Sequence, residues 1–303
     1  MSDRSETGRR LRRLLVYPAE ALVVYALYAL FSLFPVDRAS ALGGWLARTV
    51  GPRLPVSRRA LANLRRALPD LPPERHRAII HGMCDNLGRV MAEHPHLERM
   101  WDDQASGRIE VVGAEHLPRP AEDGAKRPCL MFSGHIANWE LLPAGASRYG
   151  LSLTSIYRRP NNPLIHNLMT DHRRAGRGRL VPKGRDGARA IVAALAEGGT
   201  VAMLVDQKMN DGIPVPFFGH PAMTAPAVAQ LALKFRCPVL PTRSERLDGA
   251  RFRLTVLPPL EPPDTGNREA DVREMMAQVN GLLESWIRER PEQWLWLHKR
   301  WPA

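Results

Sequence analysis

The chain has 303 residues, 44% of them apolar and 24% charged, and a formal net charge of +12. That apolar content excludes a disordered chain, and the length fits one large domain or two modest ones. The charge favours an acidic partner. Nucleic acid is set aside, because neither zinc-finger spacing nor a run of aromatics among basic residues accompanies the charge.

Residues 1–13 form a basic tail carrying Arg4, Arg9, Arg10, Arg12 and Arg13. The next 22 residues, 14–35, are apolar except for Glu20, a few tyrosines and one serine, and are long enough to cross a hydrocarbon core. They are too long for a signal peptide, and no Ala-x-Ala site follows. Tyr17, Tyr25 and Tyr28 suit an interface. Arginines flank both ends, so the positive-inside rule does not choose an orientation, and a helix lying in the surface is the alternative to one that spans. Residues 36–105 are expected to be helical. Residues 57–68 and 73–93 repeat apolar residues at three- and four-residue spacing, punctuated by Pro69, Pro72 and Pro73. Arg58, Arg59, Arg65 and Arg66 flank the first stripe; they form a solvated face or a surface for anionic headgroups or an acidic carrier.

From residue 106 the pattern becomes strand–helix alternation. Strands are predicted at 108–113, 128–134, 151–157, 200–205, 238–243 and 251–258. Helices are predicted at 138–148, 163–175, 186–197, 225–236 and 268–289, with Thr224 and Asn267 as caps. The fold class is therefore α/β. A mixed sheet flanked by helices fills residues 106–303, preceded by a helical region and an N-terminal membrane helix. Cys84, Cys129 and Cys237 are widely spaced in apolar company and read as small buried residues of a reducing compartment. No disulfide framework or metal set is visible, so the metal expectation is none.

The chemistry concentrates where the apolar run Leu130-Met131-Phe132 meets Ser133-Gly134-His135. His135 falls at the carboxyl end of a predicted strand, where open α/β sheets place ligands, and an imidazole there can take a proton near neutral pH. Glu140, five residues on, could hold the other ring nitrogen and fix the tautomer. Positions five apart point about 140° away from each other on an unbroken helix, so the pair meets only if a turn lies between them; Gly134 and Asn138 allow one. A structural hydrogen-bonded pair is the alternative reading. Asp206 ends another buried strand, as a loop cap or as a group that orients an arginine or holds an acceptor hydroxyl. Residues 212–219 read as an apolar loop. The segment Gln293-Trp294-Leu295-Trp296-Leu297-His298-Lys299-Arg300-Trp301 alternates aromatic and aliphatic residues; as a strand it would place Trp294, Trp296, His298 and Arg300 on one face, as a membrane-interface element or a lid on the core. His298 is a rival base with no acid at close spacing.

The motif Gly134-His135-Ile136-Ala137-Asn138-Trp139-Glu140 resembles the His-x4-acid motif of the bacterial lipid A late acyltransferases, the lauroyl/myristoyl acyltransferase family within the membrane glycerolipid acyltransferases. Four further blocks agree in order: Tyr157-Arg158-Arg159-Pro160-Asn161-Asn162-Pro163, Val205-Asp206-Gln207, Val215-Pro216-Phe217-Phe218-Gly219 and the C-terminal tryptophan segment. The resemblance spans nearly the whole chain. It implies transfer of a fatty acyl chain from an acyl carrier protein thioester to a hydroxyl of a lipid A precursor, with no cofactor, His135 as general base and Glu140 orienting it. It implies that Arg158 and one of Arg173 or Arg174 line the acceptor phosphate region, and that Asp206 and Asn138 belong to the substrate-binding group. It places the protein at the bacterial inner membrane with its body on the cytoplasmic side. Another glycolipid or phospholipid acceptor, or a non-catalytic membrane-docked binder of an acidic partner, are the alternatives. Ser133, on a strand two residues before His135, is a poor nucleophile.

Overall fold

A computed structural model describes residues 12–103, 107–118, 126–157, 159–166 and 178–301. A π-helical turn, Arg12–Val16, leads into α1 (Tyr17–Ser32), whose Pro18 sits in the first turn, where a missing N–H costs nothing. The stretch Arg13–Ser32 is long and apolar enough to cross a membrane. One stripe of α1 rests on the body. Ala21 and Phe31 are buried, Asn162 Nδ2 donates to the Tyr17 carbonyl (2.8 Å), and the Phe31 carbonyl meets His96 Nε2 (2.9 Å). Leu22, Val23, Leu27 and Leu30 point outward.

Next come α2 (Val36–Val50), α3 (Pro55–Ala67), α4 (Pro73–Glu93) and α5 (Leu97–Asp102). The expected helical region is thus four helices. α2 and α4 approach closely because Gly43 and Gly88 face each other. A Cβ at Gly43 would stand 2.5 Å from the Gly88 carbonyl oxygen, so only glycine permits this approach.

The strands are β1 (Ile109–Val112), β2 (Cys129–Ser133), β3 (Leu153–Tyr157), β4 (Arg179–Pro182), β5 (Thr200–Leu204), β6 (Ile213–Phe217), β7 (His220–Thr224), β8 (Val239–Asp248) and β9 (Arg251–Val256). Between them lie α6 (Leu141–Gly145), α7 (Arg185–Ala196), α8 (Ala227–Phe235) and α9 (Arg268–Glu289). Seven strands form one sheet in the order β1-β9-β8-β2-β5-β3-β4. All its pairings are parallel except β8–β9, so the mixed α/β sheet flanked by helices is as expected. β2 lies at the centre and is buried throughout, which explains its unbroken apolar run. Its register with β5 sets Ser133 opposite Leu204. The residues two beyond each, His135 and Asp206, therefore leave the sheet side by side.

Several local expectations give way. Residues 213–224 are an antiparallel hairpin, β6–β7, rather than an apolar loop. The helix expected from 138 begins at Leu141 and ends in a 3-10 turn, Ala146–Tyr149, because the chain first completes the turn after β2. Thr224 closes β7, and α8 starts after Pro226 with no side-chain cap. Asn267 does cap α9, accepting from the Glu269 and Ala270 amides. Of the helix expected at 163–175, Pro163–Ile165 is a 3-10 turn and 167–175 lie outside the described residues. The C-terminal tryptophan segment is not a strand: it makes a single bridge, Ile136 to Trp294, and then turns. Trp294, Trp296 and Trp301 are buried, so the segment closes the core; Trp296 Nε1 donates to the Pro291 carbonyl (2.7 Å). The three cysteines are free and buried as expected, and burial pushes the Cys129 thiol up to about 12.

Candidate active site

The site is built where β2 and β5 end. Asp206 is fully buried, and three donors converge on it: His135 Nδ1 (2.7 Å), the His135 backbone amide (2.8 Å) and Trp294 Nε1 (2.8 Å). Burial alone would raise this carboxyl. The His135 imidazole and its hydrogen bonds outweigh burial and hold it far below the usual carboxylate range. For His135, burial pulls the pKa down, but the Asp206 charge and hydrogen bond, with a smaller contribution from Glu140, leave it raised above 6.5. Asp206 accepts at Nδ1, so the lone pair of the neutral ring stands at Nε2.

Glu140 is therefore not the group that fixes the His135 tautomer, contrary to the sequence expectation. Parallel register brings a carboxylate 71 positions away onto Nδ1. Glu140 instead accepts from Trp139 Nε1 (3.1 Å) and acts on His135 through space. Asp206 is likewise not a substrate ligand, since none of it is exposed.

Asn138 is corrected too. It is fully buried; its Nδ2 donates to Glu93 Oε2 (2.8 Å), its Oδ1 accepts from the Glu140 amide (3.2 Å), and its carbonyl accepts from Ser244 Oγ (3.1 Å). It shapes the turn rather than contacting a substrate. Glu93, also fully buried, forms a two-oxygen pair with Arg246, and Ser40 Oγ donates to it (2.6 Å). Asn86 accepts from Arg246 Nε (2.9 Å) and donates to the Ala137 carbonyl (3.1 Å). Ala137 sits at φ 49°, a left-handed conformation that costs a non-glycine residue free energy. Asn86 and the Ala137 amide's bond to the Gln293 carbonyl (2.9 Å) hold it there. Sequence reading missed Glu93, Asn86 and Arg246, because nothing local marks a charge on a helix as the partner of a turn 45 residues away.

His298 lies beside His135, with ring centroids 5.0 Å apart. Asn63 of α3 fixes its backbone by donating to the Trp296 (2.8 Å) and His298 (2.6 Å) carbonyls. Burial, then the neighbouring His135 and Arg59 charges, push His298 down to about 4 despite Asp206, so it is neutral at physiological pH. Exposed Gln207 reaches both rings, its Nε2 standing 3.3 Å from each Nε2.

A mainly apolar cavity of about 130 Å³ lies against the sheet. Met131, Leu153, Ala202 and Val256 line it, together with Ser133 and Glu140 from either side of His135 in the chain. Trp101 lines it as well and packs on Gly145, where a Cβ would stand 1.9 Å from the indole. Gly145→Ala is expected to force Trp101 out of place and cost about 1–3 kcal/mol, read as a lower denaturation midpoint. Arg158, Arg173 and Arg174 lie outside the described residues.

A family model described as bacterial lipid A biosynthesis acyltransferase matches residues 8–303. The chain belongs to this family. The lipid A biosynthesis lauroyltransferase of Escherichia coli (strain K12) is 29% identical over 247 residues, covering 78% of this chain and 76% of the relative. The lipid A biosynthesis myristoyltransferase of the same organism is 26% identical, covering 80% of this chain and 74% of the relative. A lipid A biosynthesis acyltransferase of Haemophilus influenzae is 22% identical over 274 residues, covering 88% and 83%. The resemblance read from the motifs is thereby confirmed, and the protein is an acyltransferase of lipid A biosynthesis.

Proposed function

We propose that this acyltransferase moves a fatty acyl chain from an acyl carrier protein thioester to a hydroxyl of a phosphorylated glycolipid precursor of lipid A, at the cytoplasmic face of the bacterial inner membrane. The observation that carries the reading is the His135–Asp206 pair, which leaves Nε2 as a proton acceptor on a ring that packs against Trp139, a residue of the apolar cavity's wall. Nε2 takes the proton of the acceptor hydroxyl, and the alkoxide attacks the thioester carbonyl. The carbon–sulfur bond breaks, and the leaving thiolate takes the proton back from the imidazolium. Asp206 stabilises the imidazolium, and the Glu140 charge adds to it. The cavity accepts the hydrocarbon chain, and Glu140 and Ser133 stand on its wall. Ser133 is buried on β2, which does not suit a nucleophile, and direct transfer requires no covalent enzyme intermediate.

An acidic carrier is supported by the net charge of +12 and by exposed Arg58, Arg59 and Arg65 on α3, the helix whose Asn63 holds the His298 segment. Membrane attachment is supported by α1, whose outward side is apolar. Glycolipid acceptance is supported by the family and by the names of the relatives. No metal and no cofactor enter the proposed step.

The test is transfer of labelled lauroyl from acyl carrier protein to a tetra-acylated lipid A precursor in detergent. His135→Ala is expected to lower turnover by roughly 10²–10⁴-fold with the fold retained. Wild-type turnover in that variant would refute the mechanism. The pH dependence carries a sign. The base works only when neutral, and its pKa is raised, so kcat should climb as pH rises through a limb lying above 6.5. A limb below 6.5 would show that Asp206 does not act on the base.

A further inference from the structure

The Gln207 amide nitrogen stands 3.3 Å from Nε2 of His135 and 3.3 Å from Nε2 of His298. In neutral His135 the proton sits at Nδ1 against Asp206 and leaves an Nε2 lone pair, and neutral His298 offers an Nε2 lone pair in its Nδ1–H tautomer, so the amide can donate to both rings. An amide –NH2 carries two hydrogens about 120° apart, which is the geometry needed to bridge two acceptors. The nitrogen that must take the hydroxyl proton is therefore covered in the free enzyme, by a side chain that is itself exposed and that, among the described residues, hydrogen-bonds these two rings.

We propose that Gln207 is a latch over the catalytic base, and that His298 is the anchor that keeps it there until an acceptor hydroxyl displaces it from His135. This deepens the proposed function and rests on His135 being its base. The latch matters because a bare Nε2 does not distinguish a sugar-linked hydroxyl from water. With a thioester bound and no acceptor, Nε2 would take a proton from water, and the hydroxide would attack the acyl carbonyl. The carbon–sulfur bond would break, and the thiolate would take the proton from His135, leaving a free fatty acid and a free carrier thiol. Water has little binding energy with which to displace the amide, whereas a large glycolipid brings its hydroxyl with many other contacts. His298 lets the amide swing away from His135 while keeping one hydrogen bond, so opening costs one bond rather than two. Both residues are positioning residues: they act through His135.

Gln207 is on the surface, so its variants should fold. The experiment uses the full-length wild type, Gln207→Ala, Gln207→Glu and His135→Ala in detergent, with lauroyl-acyl carrier protein. It reads free laurate without acceptor and lauroyl transfer with a tetra-acylated lipid A precursor. Gln207→Ala is expected to raise the ratio of hydrolysis to transfer at least five-fold. Gln207→Glu places a carboxylate beside Nε2 and is expected to move the acid limb of the transfer pH profile upward by about one unit, a shift that a purely structural role would not produce. An unchanged ratio in Gln207→Ala, with wild type active and His135→Ala inactive, overturns the latch alone. Full transfer by His135→Ala, or none by wild type, overturns the mechanism and the latch with it.

Discussion

Asp206→Asn is expected to lower kcat by about 10³–10⁴-fold while the protein stays folded. Three donors converge on the two oxygens of Asp206, two from His135 and one from Trp294. Asparagine keeps one oxygen for the backbone amide and the indole. Its –NH2 then faces Nδ1, and a donor there makes Nδ1 an acceptor and drives the ring proton to Nε2. The base is lost although the ring has hardly moved. The variant also removes the charge that raises the His135 pKa, so residual activity should show its acid limb at lower pH than wild type. Initial rates across pH, with near-UV circular dichroism to verify folding, check both statements. Near-wild-type kcat would remove Asp206 from the mechanism.

Glu93→Ala is expected to destabilise the fold by about 3–5 kcal/mol, because it strands the buried Arg246 guanidinium without its counter-charge. The same carboxylate receives Ser40 Oγ and Asn138 Nδ2, so the loss also releases the turn that carries His135. Urea denaturation should show a lower midpoint. Replacing both partners, Glu93→Leu with Arg246→Met, should recover much of the loss, since two matched apolar groups avoid the unpaired charge. Equal destabilisation by the double variant would assign the effect to packing instead.

The sites of failure in the sequence reading share one cause. The placement of His135 at a strand end was legible, because a buried apolar run followed by a small-residue turn depends only on neighbours in the chain. Helix α9 and its Asn267 cap were legible for the same reason. Its acid partner was misread as Glu140, the carboxylate closest in sequence, because no local signal reports which strand lies beside β2. Asn138 was misread as a substrate ligand, because a polar residue close to His135 in sequence looks the same whether it meets substrate or a buried glutamate. The tryptophan segment was misread as a strand because alternation of large apolar residues also suits a chain that plugs a core with every other side chain.

Signals local to the chain suffice for the α/β class, the family, the strand-end placement of His135 and the apolar N-terminal helix. These follow from composition, periodicity and motifs, which act over a few residues at a time. What His135 is paired with follows from tertiary packing. The parallel register of β2 on β5 sets Asp206 against His135, the C-terminal segment brings His298 to the same place, and a buried ion pair on α4 and β8 holds the turn between them. Hydrogen-bond geometry falls off over tenths of an ångström, so partners chosen by sheet register cannot be read from spacing along the chain.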